Sequence, residues 1–447
     1  MDDTVLPSKL LTTLSDAVGI VNGHDFIQVY SHYDADGISA ASIIAKTLLR
    51  AGKAFRVTLL TSLNDQNMEM IRNTPSECII LTDLGASYVE QLDALSCDVV
   101  VLDHHAPEQQ AKRICHANPH LYGIDGMTDG CGATMAFLFS ITMNKKNWDL
   151  VQVAFAGIAG DKQHINGLKG LNVYLYEGGS EKGYIKTLDG SMIPSGQLTS
   201  ELFLSTEPYL AGISGSAEGV AGLLDAAGIG REKFYKDLTE KERRKLSSLI
   251  ALKLVEQVVS LQTMLEISRT RYQLKDWDTD AETLGSLLNG CGRMGLGGVG
   301  VSAGMGDPKS MSKAAELENT SKEQIMDAVL SLQRAGLNQM DNIQWFDSSA
   351  SGFTGMICSI AMQFIGNPSK PTIGINRSED MAKISSRATF DLLDKGVDLS
   401  TALKEACASV GGRGGGHRIA SGGSCQKERC DEFLLNLDKI IGKQRGR

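Results

Sequence analysis

The chain has 447 residues, of which 42% are hydrophobic and 22% charged, the balance of an ordinary globular protein. This composition excludes a disordered chain and a small disulfide scaffold. There are 53 acidic and 44 basic side chains, and the net charge of −9 argues against a protein that coats polyanions in general. No segment reaches the roughly 18 uninterrupted apolar residues of a membrane helix, and the nine cysteines include no CxxC pair. We therefore expect a cytoplasmic protein without a membrane partner.

The first third of the chain alternates apolar strands with amphipathic helices. Strands are predicted at 26–30, 55–60, 78–81 and 98–102. Helices are predicted at 38–50, 87–95, 132–142 and 148–158. This alternation is typical of a doubly wound, mainly parallel sheet, and we assign residues 1–190 to such a domain.

Two further regions follow the first domain. Helical periodicity dominates residues 191–275, which we interpret as a helical insert or connector. Residues 276–447 mix both patterns, with helices predicted at 322–336, 355–365 and 399–410 and strands at 343–346, 372–375 and 383–387. The sequence therefore predicts an α/β protein whose second, smaller α/β domain is C-terminal, with the active site in the cleft between the two domains.

Polar side chains of the first domain follow its predicted strands at the points where the strands end. They are His32, Asp34 and Asp36 after the first strand, Asp83 after the third, Asp103, His104 and His105 after the fourth, and Asp161 after the apolar stretch 151–159. Ligands bind outside the carboxyl ends of strands in an open parallel sheet, so we expect these groups to meet in one crevice. A lone Asp after a strand is usually a cap or turn residue, but caps and turns do not explain the neighbouring imidazoles.

The carboxylates of this crevice would repel one another unless cations neutralised them. Asp and His ligands without thiolates suit Mn²⁺, and Mg²⁺ is an option where carboxylates dominate. The number of ligands exceeds the need of a single ion. We therefore predict two divalent metal ions about 3.5–4 Å apart, an arrangement that serves phosphoester hydrolysis.

Four segments resemble, in order and spacing, the motifs of the DHH phosphoesterase superfamily: SHYDADGISAA, LTDLG, VVVLDHHAP and GIAGD. Two more strengthen the resemblance. LLNGCGRMG at 287–295 is similar to a segment of RecJ-like nucleases, and GGRGGGHRIASGG at 411–423 resembles the GGGH motif of the DHH-associated domain. Together these motifs span residues 26–423 and look most like those of archaeal RecJ-like exonucleases.

The resemblance implies roles for individual residues. Metal ligands are implied at Asp34, Asp36, Asp83, His104 and Asp161, with His32 as a further ligand. Asp103 and His105 are implied beside these ligands, and we count them with Asp83 as catalytic residues. His105 is expected to face the scissile phosphate.

Substrate contacts are expected mainly near the C-terminus. Successive glycines let backbone N–H groups approach a phosphate, so we predict a glycine-rich loop that holds a strand terminus through Arg413, Gly415, Gly416 and His417. The alternative is a flexible glycine-rich loop that binds no substrate. Arg387, Arg293 and Asn289 complete the predicted substrate-binding set.

The resemblance implies a metal-dependent, single-strand-specific exonuclease that releases 5′-mononucleotides from DNA or RNA in DNA replication or repair. A loop that holds a terminus favours an exonuclease over an endonuclease. The alternatives are a phosphodiesterase for short oligonucleotides or cyclic dinucleotides, and a replication scaffold with secondary nuclease activity. Single-stranded DNA or RNA is the expected partner, and archaeal relatives imply the GINS complex or a Hef-type helicase/nuclease as protein partners.

Overall fold

The structure is a computed structural model and describes residues 6–348 and 352–446. The helices up to residue 189 are α1 (Ser8–Asn22), α2 (Ala35–Arg50), α3 (Asp65–Asn73), α4 (Val89–Asp93), α5 (Gly132–Met143), α6 (Val151–Gly160) and α7 (Gly170–Glu181). The strands in this part are β1 (Phe26–His32), β2 (Ala54–Leu60), β3 (Cys78–Thr82), β4 (Asp98–Leu102), β5 (Cys115–Ala117) and β6 (Ile185–Leu188).

The remaining helices are α8 (Leu198–Phe203), α9 (Ala217–Ala227), α10 (Glu240–Glu256), α11 (Leu261–Ile267), α12 (Ala281–Arg293), α13 (Gly297–Gly304), α14 (Pro308–Ala335), α15 (Thr354–Ile360), α16 (Phe390–Asp394), α17 (Leu399–Ser409) and α18 (Cys430–Gln444). The remaining strands are β7 (Arg271–Leu274), β8 (Thr279–Asp280), β9 (Asn338–Gln339), β10 (Gln344–Asp347), β11 (Thr372–Asn376), β12 (Met381–Arg387), β13 (Arg413–His417) and β14 (Ala420–Gln426). None of the described helices combines the length and apolar character needed to cross a membrane.

The chain divides into two compact units. Unit 1 combines the described residues up to Asp189 with Arg269–Ser321, and unit 2 combines Gly190–Ser268 with the described residues from Lys322 onward. This division differs from the predicted boundary at 275/276. The reason is α12, whose Leu284 and Leu288 join the apolar core of unit 1.

Unit 1 is built on a five-stranded parallel sheet with the strand order β2-β1-β3-β4-β5. Its strands are rich in Val, Ile and Leu, and alternate residues feed two cores on opposite faces. Val100 packs with α1, α2, α5 and α6 on one face, whereas Val99 and Val101 pack with α3 and α4 on the other. The predicted doubly wound parallel sheet is confirmed. The sequence patterns missed α1 and a small antiparallel sheet of β6, β7 and β8.

Unit 2 contains a six-stranded mixed sheet with the order β13-β14-β12-β11-β10-β9. Only β10 and β11 run parallel, and the other neighbours are antiparallel. Helices α17 and α18 bury Leu403 and Phe433 against Ile384 and Ala382 on one face. The predicted C-terminal α/β unit is therefore present, with helices α8 to α11 of the predicted helical region in the same unit.

The glycine-rich segment is a strand and not the predicted loop. Residues Arg413–His417 form β13, which pairs with β14 at the edge of the sheet. Helix α17 packs closely on this strand, because a Cβ at Gly414 would lie 2.6 Å from the carbonyl oxygen of Leu403. Gly416 has a φ of +133°, which side chains rarely adopt. Close packing thus explains the glycine at 414, and backbone geometry explains the glycine at 416. Together they hold in a strand a segment whose composition predicts a flexible loop.

Candidate metal centre

Neighbouring strands of the parallel sheet deliver polar side chains to one edge. Thr82 of β3 pairs with Ser31 of β1 and with Leu102 of β4, so the residues that follow these positions are neighbours in space. Asp161 joins them from the end of α6. The structure brings together all eight candidates of the N-terminal region: His32, Asp34, Asp36, Asp83, Asp103, His104, His105 and Asp161.

Three groups of these side chains have the geometry to hold a metal ion, and one of them consists of Asp83, Asp103, His104 and His105. Site A comprises His32, Asp34 and Asp83, and site B comprises Asp36, His104 and Asp161. Within each site one ligand atom per residue lies within 4.8 Å of the others. The described part of the chain thus offers two adjacent oxygen and nitrogen donor sets of the kind that Mn²⁺ and Mg²⁺ use.

Asp83 lies between the two sites. Its Oδ2 is 3.5 Å from His32 Nδ1 in site A, and its Oδ1 is 3.2 Å from His104 Nε2 in site B. The backbone of Asp83 is left-handed, with a φ of +54°, which turns the residue sharply after β3. Its N–H still donates to the carbonyl of Leu102, so the turn is fixed to the neighbouring strand.

Asp34 and Asp36 are candidate metal ligands that also accept hydrogen bonds from backbone N–H groups at the starts of helices. Asp34 is the N-cap of α2, where one oxygen accepts the N–H of Gly37 at 3.0 Å and the other lies 3.0 Å from His32 Nδ1. Asp36 is buried and accepts the N–H groups of Gly132 and Ala133 at 2.7 and 2.8 Å, at the start of α5. The positive end of that helix stabilises a negative charge on Asp36.

His104 is oriented by a network that the sequence does not reveal. Its Nδ1 lies 2.7 Å from the carbonyl oxygen of Gly126, which leaves Nε2 facing Asp83 and Asp161 at 3.2 and 3.3 Å. The same carbonyl accepts the Nε2–H of Gln163 at 2.9 Å, and Gln163 in turn accepts from Asn172. Metal-binding histidines usually donate their second ring nitrogen in this way. No residue pattern marks Gly126 or Gln163 in advance.

We expect Gln163→Leu to weaken Mn²⁺ binding by about 10–100-fold, the usual effect of losing a partner that holds a ligand in place. The substitution removes the amide that fixes the Gly126 carbonyl and thereby the ring of His104. Gln28→Leu is the matched control, because Gln28 is also buried but bonds only to β1 and β2. Titration calorimetry measures both variants. Equal Mn²⁺ affinities for the two would contradict the role of Gln163.

Asp103 holds His105, and one of its oxygens lies within 4.8 Å of ligand atoms of Asp83, His104 and His105. Its carboxylate accepts the N–H groups of Ala86, His104 and His105 and lies 2.8 Å from His105 Nδ1. Burial alone would raise the pKa of Asp103, but the neighbouring His105 lowers it to about 2. Burial alone would lower the pKa of His105, but the carboxylate of Asp103 raises it to about 9. His105 is 42% exposed and lies 3.9 Å from Asp83, so it is a cation next to site A and site B at neutral pH.

The electrostatics of the ligands fit cations at both sites. Burial and the neighbouring acids raise the pKa of Asp36, and burial raises the pKa of Asp161 to about 7. Burial would lower the pKa of His32 and His104, yet the carboxylates beside them raise both, to about 12 for His32. Protons therefore hold the carboxylates together without metal, and a divalent ion at each site would take their place.

We expect the free energy of unfolding of the metal-free protein to fall as the pH rises from about 4 to about 9. The folded-state pKa of Asp161 is raised from 3.8 to about 7, so its contribution is fully present below 3.8 and is lost as the pH approaches 7. The pKa of His105 is raised from 6.5 to about 9, so its contribution to stability is lost as the pH rises between these values. Thermal melts in EDTA at several pH values measure the slope. Asp161→Asn should be flatter between pH 4 and 7, and parallel slopes for the two proteins would contradict this assignment.

The predicted substrate residues fall into both units. Asn289 and Arg293 lie on α12 in unit 1, where a Cβ at Gly292 would lie 1.8 Å from the carbonyl oxygen of Tyr33. Burial lowers the pKa of Arg293 to about 10, while nearby Asp34 acts in the opposite direction. Arg293 is therefore close to site A. The others, Arg387, Arg413, Gly415, Gly416 and His417, lie in the sheet of unit 2.

Comparisons with known proteins agree with this architecture. Residues 26–158 match the N-terminal domain of the DHH family, and residues 347–443 match the DHHA1 domain. An uncharacterized protein of Methanocaldococcus jannaschii is 29% identical over 434 residues, which cover 95% of each chain.

Two solved structures are similar in fold. Thermus thermophilus RecJ in complex with Mn²⁺ matches with a TM-score of 0.61 at 15% identity, over 98% of this chain and 55% of that one. The chain thus spans about half the length of that RecJ. CDC45 from Entamoeba histolytica matches with a TM-score of 0.64 at 12% identity, over 96% of this chain and 99% of that one. The chain therefore carries a DHH-family N-terminal domain followed by a DHHA1 domain, and its fold is similar to that of RecJ.

Proposed function

We propose that this protein is a metal-dependent exonuclease specific for single strands, which hydrolyses DNA or RNA to 5′-mononucleotides in DNA replication or repair. The position of Asp83 carries the proposal, because its two oxygens face sites A and B. A carboxylate between two cations suits two-metal hydrolysis of phosphoesters. The similar RecJ structure holds Mn²⁺, which supports Mn²⁺ as the preferred ion and Mg²⁺ as the alternative.

When bound, two such ions would supply a nucleophilic water and balance the charge that develops on the phosphate. The side chains of sites A and B would hold the ions. Asp103 keeps His105 protonated and oriented, so His105 can donate a hydrogen bond to an oxygen of the scissile phosphate. Arg293 adds a positive charge beside Asp34. We propose that Asn289 in unit 1 contacts the strand, and that Arg387, Arg413, Gly415, Gly416 and His417 in unit 2 are substrate-binding residues of their own unit.

Other functions compete with this proposal. A phosphodiesterase for short oligonucleotides or cyclic dinucleotides would use the same centre. A replication scaffold, bound to the GINS complex or a Hef-type helicase/nuclease, is suggested by the motif resemblance. It would need the centre only for a secondary nuclease activity. The complete ligand set and the buried network behind His104 favour chemistry over scaffolding alone.

The deciding experiment uses one oligonucleotide labelled separately at each end, with Mn²⁺, with Mg²⁺ and with EDTA. The proposal predicts mononucleotides that appear first from one end and only with metal. A cyclic dinucleotide and a dinucleotide serve as competing substrates. Hydrolysis of these alone would favour the small-substrate phosphodiesterase, and no hydrolysis of any substrate would favour the scaffold.

We expect circular single strands to survive conditions that consume linear strands of the same sequence. An exonuclease needs a free terminus, and a circle has none. Blunt duplex should also resist. Gel analysis of a circular and a linear form over one time course makes the comparison, and cleavage of circles at a similar rate would mean that the protein is an endonuclease.

A further inference from the structure

Two hydroxyl groups lie side by side in the parallel sheet of unit 1, where strands β1 and β3 end. Ser31 of β1 and Thr82 of β3 are opposite one another in the pairing of these strands, and both are fully buried. Thr82 Oγ1 donates a hydrogen bond to Ser31 Oγ at 2.7 Å. Val29 and Ile80, two residues earlier on the same face, belong to the apolar core of unit 1. The two hydroxyls thus take the place of aliphatic side chains near the ends of both strands.

Ser31 connects this hydroxyl pair to the first turn of α2. Its Oγ donates to the carbonyl oxygen of Gly37 at 2.7 Å and lies 3.1 Å from the carbonyl oxygen of Thr82. The N–H of Gly37 is bonded as well, because it donates to Asp34 at 3.0 Å. The approach is close, since a Cβ at Gly37 would lie 2.3 Å from the carbonyl oxygen of His32. The hydroxyl pair therefore ties the ends of β1 and β3 to the start of α2.

Each residue joined by these hydrogen bonds is next in sequence to a candidate metal ligand. The neighbours in sequence are Ser31 and His32, Gly37 and Asp36, and Thr82 and Asp83. His32 belongs to site A and Asp36 to site B, and Asp83 lies between the two sites. A buried polar network whose members are all bonded makes its surroundings rigid. Here the network acts on the backbone beside ligands of both sites.

We propose that Ser31 and Thr82 are positioning residues that set the distance between the two metal ions. Two-metal hydrolysis needs ions about 3.5–4 Å apart, and supporting residues have to hold such a centre to within about 0.5 Å. The turn at Asp83, with a φ of +54°, begins directly after Thr82, so a shift of Thr82 would move the carboxylate that lies between the sites. The inference rests on the proposed function and deepens it, since it names residues that act through the ligands and not on the substrate.

The test compares the double variant Ser31→Ala/Thr82→Val with a matched control elsewhere in unit 1. The control is Thr47→Val/Ser140→Ala, because these two residues form another buried hydroxyl pair, 2.6 Å apart, between α2 and α5. Replacing both partners of a buried hydrogen bond by apolar groups of similar shape is nearly neutral for stability. We therefore expect similar melting temperatures for the two double variants in EDTA, which separates a positioning role from a merely structural one.

The measurements that should distinguish the variants concern the metal ions. Titration calorimetry should show Mn²⁺ binding weakened by about 10–100-fold in Ser31→Ala/Thr82→Val and unchanged in the control. Electron paramagnetic resonance reports the magnetic coupling between two bound Mn²⁺ ions, which should differ from wild type in the first variant and not in the control. Thr82→Ser keeps the hydroxyl and should bind Mn²⁺ as wild type does, whereas Thr82→Val should not. These single variants test the inference even if a double variant fails to fold.

The outcomes separate the inference from the proposed function. If wild type binds two coupled Mn²⁺ ions and Thr82→Val binds them with the same affinity and coupling, the positioning role is wrong and the two-metal proposal stands. Equal weakening in Thr47→Val/Ser140→Ala would mean that any hydroxyl pair of this core has the same effect, and it would also overturn the inference. If wild type shows no coupled pair of ions, the two-metal centre fails and the inference fails with it.

Discussion

Asp83→Asn should abolish Mn²⁺-dependent hydrolysis, with a loss well above 100-fold. Loss of a residue that only orients a metal ligand lowers metal affinity or activity by about 10–100-fold. Asp83 faces both sites directly, so its loss should cost more. The neutral amide removes the charge that two cations would share. Steady-state hydrolysis of an end-labelled strand measures the loss, and titration calorimetry measures Mn²⁺ binding. Retention of more than a few per cent of the wild-type rate would contradict a shared ligand.

The choice of substitution matters because of the backbone at Asp83. Asn tolerates the left-handed conformation, whereas Ala at a φ of +54° adds a strain of about 1 kcal/mol. Burial would raise the pKa of Asp83, but His104 and His32 lower it below its ordinary value, so its charge stabilises the metal-free protein. We therefore expect both substitutions to lower the melting temperature in EDTA, with Asp83→Ala the lower of the two.

His105→Ala should lower kcat by about 10²–10³-fold, the range for losing one hydrogen-bond donor that stabilises charge in the transition state. Mn²⁺ affinity should change little, because His105 belongs to neither site A nor site B and its Nδ1 is bonded to Asp103. The wild-type rate should also fall at alkaline pH as His105 loses its proton, at or below a pKa of about 9, since nearby cations favour deprotonation. The variant should lack this fall.

Asp103→Asn tests whether Asp103 acts through His105. It keeps the shape of the side chain but loses the charge that orients and protonates the ring. The double variant should then be no slower than His105→Ala alone, because both substitutions remove one function. Additive losses would mean that Asp103 contributes independently of His105, and a loss of Mn²⁺ binding in His105→Ala would place His105 among the ligands.

The sheet of unit 1 could be predicted because its signals are local. Continuous apolar runs such as β3 give parallel strands, and the acids and imidazoles stand directly after them. Helix α12 shows the limit of such patterns. Its Leu284 and Leu288 predict a helix with one buried face, but nothing in their spacing says that the partner is the core of unit 1, some hundred residues earlier in the chain.

The same distinction holds for the candidate site. Asp83 and Asp161 were predictable from their positions at the ends of apolar segments. The support of His104 was not, because its partner is a backbone carbonyl, and any residue type carries one. The glycines of β13 mislead in the opposite way, since composition alone does not distinguish a flexible loop from a strand against which a helix packs closely.

The most direct test of the central claim is an anomalous diffraction measurement at the manganese edge on crystals of the wild-type protein with Mn²⁺. The account predicts two peaks about 3.5–4 Å apart, one bound by His32 and Asp34 and the other by Asp36, His104 and Asp161, with Asp83 between them. A single peak, or two peaks that Asp83 does not join, would contradict the two-metal centre.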